Sequence, residues 1–207
     1  MINNENLDTI KKICTISSGN AAIALSQMVG NRVNIGIDKV KFVPSVETID
    51  NIGGAGTLGA GIYCKILNEI RGVIILFFNR LDALTLVNTL MPTGNRKVLA
   101  FSEMEFSALK EAGNILAASY LNTISMMLGL NASISIPKIV FDNVEYVIDS
   151  IYESNFLEEK GNQAIITEFI ESSCRIKGYF VLMLNKEYLE KIFQTIQMKN
   201  EGMKSGI

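Results

Sequence analysis

The sequence predicts an α+β domain, internally duplicated with pseudo-two-fold symmetry, whose two halves share one antiparallel-rich sheet with two long helices packed on it. Three observations lead there. Residues 7–40 and 106–139 run in register, so that Ser26, Met28, Gly30 and Lys39 meet Ser125, Met127, Gly129 and Lys138. Residues 71–90 then align with 177–196, placing Gly72, Asn79 and Thr89 opposite Gly178, Asn185 and Thr195. Finally, halves this small cannot each bury their own apolar faces, so they are expected to share a core. The expectation is a single domain over 1–207, made of repeats spanning about 5–92 and 102–198.

Each half reads as a long helix, a strand, a loop or short helix, a hairpin and a closing helix. Ser102 followed by Glu105 is a capping-box signal for the start of the second long helix. Leu109, Gly113, Leu116, Tyr120, Ile124 and Met127 recur at helical spacing and form its buried stripe. Val33, Ile35 and Ile37 alternate as in a half-buried strand. The runs 62–70 and 73–78 flank Arg71-Gly72, and the runs 165–176 and 179–184 surround Lys177-Gly178, which suggests two tight hairpins. Residues 82–91 and 187–198 read as helices, with Pro92 stopping the first and a turn-rich connector at 92–97. The polar segment 199–207 reads as a frayed tail.

Composition removes several classes of function. The net charge is −2 and no block of Lys and Arg marks a nucleic-acid surface. The longest apolar run, 72–78, is of strand length, far short of the ~20 residues that cross a bilayer. Residues 1–5 are polar where a secretory leader would be apolar, so a cytoplasmic protein is expected. Cys14, Cys64 and Cys174 have neither disulfide nor zinc spacing and read as buried thiols. The absence of histidine excludes His-based triads, general bases and metal sites.

Two patterns read as structural. Gly54–Gly59 fits GxGxxG, but it precedes a strand rather than a helix and reads as a flexible loop. Asp142, Glu145 and Asp149 fall at i, i+3 and i+7 and read as the solvated face of a short helix.

Chemistry is sought on the second long helix. Ser107, Glu111 and Asn114 sit at i, i+4 and i+7, which places an acid and an amide on one stripe away from Leu109 and Leu116. Ser107-x3-Glu111-x2-Asn114-x22-Pro137 resembles the signature of the CheC, CheX and FliY phosphatases, in which Asp or Ser, Glu, Asn and Pro recur at these spacings. The flanking KEAGNI around Glu111, the IPK around Pro137 and the GNAA beginning at Gly19 also resemble that family. Two motif-bearing halves point to the CheC type rather than the shorter CheX, and no residues are left over for the additional switch domain of FliY.

The resemblance implies a phosphatase acting on the phosphoaspartate of the response regulator CheY. Asn114 would orient the attacking water and Glu111 would pair with the active-site Lys of the partner. Ser107 and Pro137 would support the motif. No cofactor or metal would be held by this chain, and Mg2+ would sit in CheY. CheD is the second implied partner, with 144–151 a candidate surface. The alternative is mainly a CheD-binding regulator with weak or vestigial catalysis. In the first half the motif positions hold Asp8, Lys12, Thr15 and Asp38, a charge reversal and a lost amide, so that site is expected to be inactive. Because the duplication already supplies a pseudo-dimer, a monomer is expected.

Overall fold

The computed structural model describes residues 4–29, 34–91, 101–154, 157, 161–172 and 175–204. The first half comprises α1 (Asn4–Val29), β1 (Ile35–Pro44), α2 (Thr48–Asn51), β2 (Leu58–Asn68), β3 (Gly72–Asn79) and α3 (Arg80–Leu90). The second comprises α4 (Glu103–Leu128), β4 (Ala132–Ile134), β5 (Lys138–Asn143), α5 (Val144–Glu153), β6 (Gln163–Glu171), β7 (Ile176–Leu184) and α6 (Lys186–Lys204). This is an α+β fold around one seven-stranded sheet.

The strands run β1-β6-β7-β3-β2, with β4 and β5 both lying along the far side of β2, and every pairing is antiparallel. Each half contributes its edge strand to the other half's hairpin. β1 pairs with β6, while β4 and β5 pair with β2. The hairpins meet at the centre, where Ile75 pairs with Val181. These residues occupy matching positions in the repeats aligned at Arg71 and Lys177, so the pseudo-two-fold axis passes through this pair.

Both faces of the sheet are covered, which explains why β3 reads as an unbroken apolar run rather than an alternation. On one face Ile62, Ile74, Leu76, Phe78, Phe169 and Phe180 pack with residues of α1, α3, α4 and α6. On the other, Tyr63, Val73, Ile75, Phe77, Val181 and Met183 pack with Val144, Val147, Ile148 and Ile151 of α5. The two long helices therefore share a face and touch each other, with Asn20 of α1 donating to the Thr123 hydroxyl of α4 at 3.0 Å.

Several local expectations are refined. β2 starts at Leu58, within the last two residues of the glycine motif, so the motif leads into a strand and its Gly59 is part of that strand. Asp142 belongs to β5 and not to the helix that carries Glu145 and Asp149, so the three acids do not form one helical face. Glu145 instead accepts the Gly56 N–H at 2.8 Å and ties the glycine loop to α5. α6 continues past Met198 to Lys204, into the segment read as a frayed tail, because no proline interrupts it. Cys14 and Cys64 are buried and free, while Cys174 and residues 92–97 lie outside the described residues.

Candidate functional site

α4 is held at its start, middle and end. Ser102 accepts the Glu105 N–H, and the Glu105 carboxylate accepts the Ser102 N–H at 2.7 Å, a reciprocal box that satisfies two donors otherwise left open at a helix start. Phe101, just before the cap, packs on Phe106 with ring centroids 5.5 Å apart, and on Phe141 of β5 at 4.8 Å. The first contact is a hydrophobic staple and the second fixes the entry of the helix against the edge strand. Midway, Gly113 lets the helix lie against β2. Farther along, Tyr120 stacks on Phe180 at 4.5 Å and its hydroxyl meets that of Thr167 at 3.1 Å. Gly129 ends the helix in the left-handed conformation, φ 69°, where glycine carries no Cβ penalty.

The structure brings all four expected residues of the second site together. Ser107, Glu111 and Asn114 of α4 line an open groove of about 390 Å³ whose opposite wall is Ile134, Ser135, Ile136 and Pro137. That wall exists because the edge strand is interrupted. β4 pairs with β2 through Ile134, β5 resumes at Lys138, and Pro137 has no N–H to continue the ladder. Ser135 holds the gap in place. Its N–H donates to the Lys65 carbonyl at 2.9 Å, its hydroxyl accepts the Lys65 N–H at 3.0 Å and donates to the Ile136 carbonyl at 3.2 Å. Pro137 is buried and Ile136 projects outward, 82% exposed.

Glu111 is exposed and Asn114 half-buried. Among the described residues neither side chain has a hydrogen-bond or ion-pair partner, so both present their full bonding capacity to the groove. Such a surface can bind a cation through the acid and hold a water through the amide. Ser135 and Lys110, which also line the groove, were not assigned from sequence. Lys110 lies within the motif and could have been found from its helical spacing. Ser135 carries no such signal, because its role depends on a strand pairing across the chain.

The first-half positions form no equivalent arrangement. Asp8 pairs with Lys11 at 3.9 Å, Lys12 is exposed, and the Thr15 hydroxyl donates to the Lys11 carbonyl at 2.9 Å, spending its proton inside its own helix. Asp38 sits at a bulge and pairs with Lys39 at 3.7 Å. β1 stays on β6 on both sides of the bulge, Ile37 opposite Phe169 and Lys39 opposite Glu168. No group of three or more Cys, Asp or Glu is placed to hold a metal ion among the described residues, nor is any helix there long and apolar enough to cross a membrane.

Residues 104–140 match the sequence model of the CheC-like family, a span that contains Ser107, Glu111, Asn114 and Pro137. The chain is 26% identical over 199 residues to the CheY-P phosphatase CheC of Bacillus subtilis, covering 93% of this chain and 94% of that protein. The structure of Thermotoga maritima FliY superposes with a TM-score of 0.73 at 19% identity, over 96% of this chain and 99% of that solved chain. CheX from Borrelia burgdorferi, solved in complex with CheY, BeF3 and Mg2+, matches with a TM-score of 0.53 at 18% identity, over 81% of this chain and 94% of that one. These two structures establish the shared fold. The motif segment resembles the CheC-like family, the chain as a whole is similar to the CheC of Bacillus subtilis, and the fold is that of FliY and CheX.

Proposed function

We propose that this chain hydrolyses the phosphoaspartate of phosphorylated CheY at the α4 groove, with Asn114 and Glu111 as the residues that touch the reacting partner. The observation that carries the reading is the convergence of Ser107, Glu111, Asn114 and Pro137 on one groove in which the acid and the amide have no competing partner. The name of the Bacillus subtilis relative and the CheX complex with CheY support CheY as the substrate.

The chemistry asked of the chain is small. An aspartyl phosphate is an activated acyl phosphate, and the regulator's own Mg2+ and Lys neutralise charge on it. What remains is to position a water in line with the scissile bond. The Asn114 carbonyl accepts a hydrogen bond from that water, and its NH2 donates toward a phosphoryl oxygen. The water oxygen bonds to phosphorus as the bond from phosphorus to the aspartyl oxygen breaks. The partner regains its carboxylate, and the protons of the water pass to the phosphate product and solvent. Glu111 pairs with the partner's Lys and fixes the complex. No covalent intermediate forms on this chain, and Mg2+ belongs to the partner. The reaction takes place in the cytoplasm, where the regulator works.

A second reading has a specific observation in its favour. The first site has lost its amide and reversed its charge at Lys12 and Thr15, as a protein turning from catalysis to CheD binding would. Phosphate release from acyl-phosphorylated CheY, with Mg2+ present, separates the two. Asn114→Ala is expected to lower the accelerated rate on the order of 100-fold, and Thr15→Ala to leave it unchanged. No acceleration by the intact chain, with or without CheD, would leave the binding role as the better account.

A further inference from the structure

Lys110 lines the same groove as Glu111 and Asn114 and is half-buried. Its ammonium has no ion-pair or hydrogen-bond partner among the described residues. The contrast with the other half is informative. The register that sets Lys12 opposite Glu111 sets Lys11 opposite Lys110 and Asp8 opposite Ser107. Lys11 lies beside Asp8 one turn back on its helix. Lys110 has only the hydroxyl of Ser107 at that position, and a hydroxyl cannot neutralise an ammonium. Glu111 does not quench it either, since neighbouring positions on a helix do not face each other. The groove therefore presents two separated opposite charges with an amide one turn beyond them.

A phosphoryl group brings about two negative charges to this surface. Its receiver is bipolar as well, with a phosphorylated, acidic centre beside a lysine. We infer that Lys110 is a specificity-determining residue of the α4 groove, whose ammonium engages the anionic surround of the phosphoaspartate while Glu111 engages the neighbouring cation. This rests on the phosphatase reading. The ammonium steers and orients the regulator, and Asn114 acts on the water. Its removal should therefore affect binding and KM rather than kcat.

The test uses the full-length chain and two readouts: titration with CheY loaded with beryllofluoride and Mg2+, and steady-state phosphate release from acyl-phosphorylated CheY. Lys110→Ala is expected to weaken the dissociation constant and raise KM about fivefold, with kcat held within about twofold. Lys110→Glu should weaken both about tenfold or more, and Lys110→Arg should restore them. Affinity should fall with added salt more steeply for the wild type than for Lys110→Ala. Lys11→Ala, which removes the same charge from the other long helix, should match the wild type. Thermal unfolding of each variant identifies any loss due to misfolding, and Lys110→Arg guards against that outcome. An active wild type with Lys110→Ala unchanged in affinity and salt dependence would overturn the role of Lys110 alone, as would a fall in kcat at constant KM. A wild type that neither binds nor dephosphorylates the regulator would overturn the phosphatase reading and the role of Lys110 with it.

Discussion

Gly113 of α4 lies directly against Ile62 of β2, so closely that a Cβ on Gly113 would stand 2.6 Å from the Ile62 Cγ2. That atom belongs to a branched side chain locked in the core, 1% exposed, and cannot swing away. On the opposite face of the same strand, a Cβ on Gly61 would collide with Val147 of α5. β2 is thus clamped between the two helical layers, and Glu111 and Asn114 flank the point of closest approach. Gly113→Ala gains helix propensity of about 1 kcal/mol but overpacks the contact at a cost of about 1–3 kcal/mol. The expected balance is a modest net destabilisation in urea. Because the helix must lift off β2, phosphate release should drop by on the order of 10-fold or more. Unchanged activity would mean that Ile62 yields without moving the helix.

The capping box should behave differently. Ser102→Ala removes the acceptor for the Glu105 N–H and one partner of a buried carboxylate. A cost of about 1–2 kcal/mol is expected from chemical denaturation. Phe101 and Phe141 still hold the helix entry, so kcat should stay within about twofold at temperatures where the protein remains folded. A large kcat loss without a stability loss would contradict this division of labour.

The buried thiols set an alkaline limit on stability. Burial pushes Cys14 up to about 11, with hydrogen bonds from Tyr120 and Thr167 pulling it partly back, and burial pushes Cys64 up to about 12. Burial also raises Tyr120, and the neighbouring Cys14 adds to the rise. Between the ordinary thiol value of 9.0 and these folded values, the unfolded chain releases a proton that the folded chain keeps. The stabilisation is fully present below 9.0 and is lost as pH climbs toward 11 and 12. Unfolding free energy should then fall by about 1.4 kcal/mol per pH unit for each thiol. Equilibrium denaturation from pH 8 to 10.5 checks the slope, and Cys64→Ala should reduce it by one thiol's share. A slope unaffected by that substitution would contradict the assignment.

Local physics made parts of this molecule legible in sequence, and topology hid the rest. Ser102 and Glu105 announce the start of α4 because caps are short-range chemistry, whereas the left-handed Gly129 that ends it was not assigned from sequence. The stripe from Leu109 to Ile124 is buried as its spacing implies, with Met127 only partly so. Ser107, Glu111 and Asn114 share a face because one helix carries them all. The exchange of edge strands could not be read. Nothing local to Ile35 or Val40 names Glu171 or Thr167 as a partner, and either hairpin could have accepted its own strand. Ser135 was hidden for the same reason, since its bonds to Lys65 exist only after β4 has crossed to the first half. Glu145 looked solvated until the fold set it beside Gly56.

The difference between the two sites suggests what a working site requires. Lys12→Glu with Thr15→Asn supplies α1 with a carboxylate and an amide at the spacing of Glu111 and Asn114. It does not supply the wall. The interruption at 135–137, with Pro137 buried and Ser135 bracing the gap, has as its counterpart only a bulge at Asp38, after which β1 continues along β6. An amide without an opposing wall leaves the docked partner and its water poorly placed, and small misplacements are expensive in rate. In an Asn114→Ala background, the double variant should therefore recover less than about a tenth of the wild-type phosphate release. Full recovery would show that carboxylate and amide suffice on any exposed helix of this fold, and that Pro137 and its wall serve the sheet rather than the reaction.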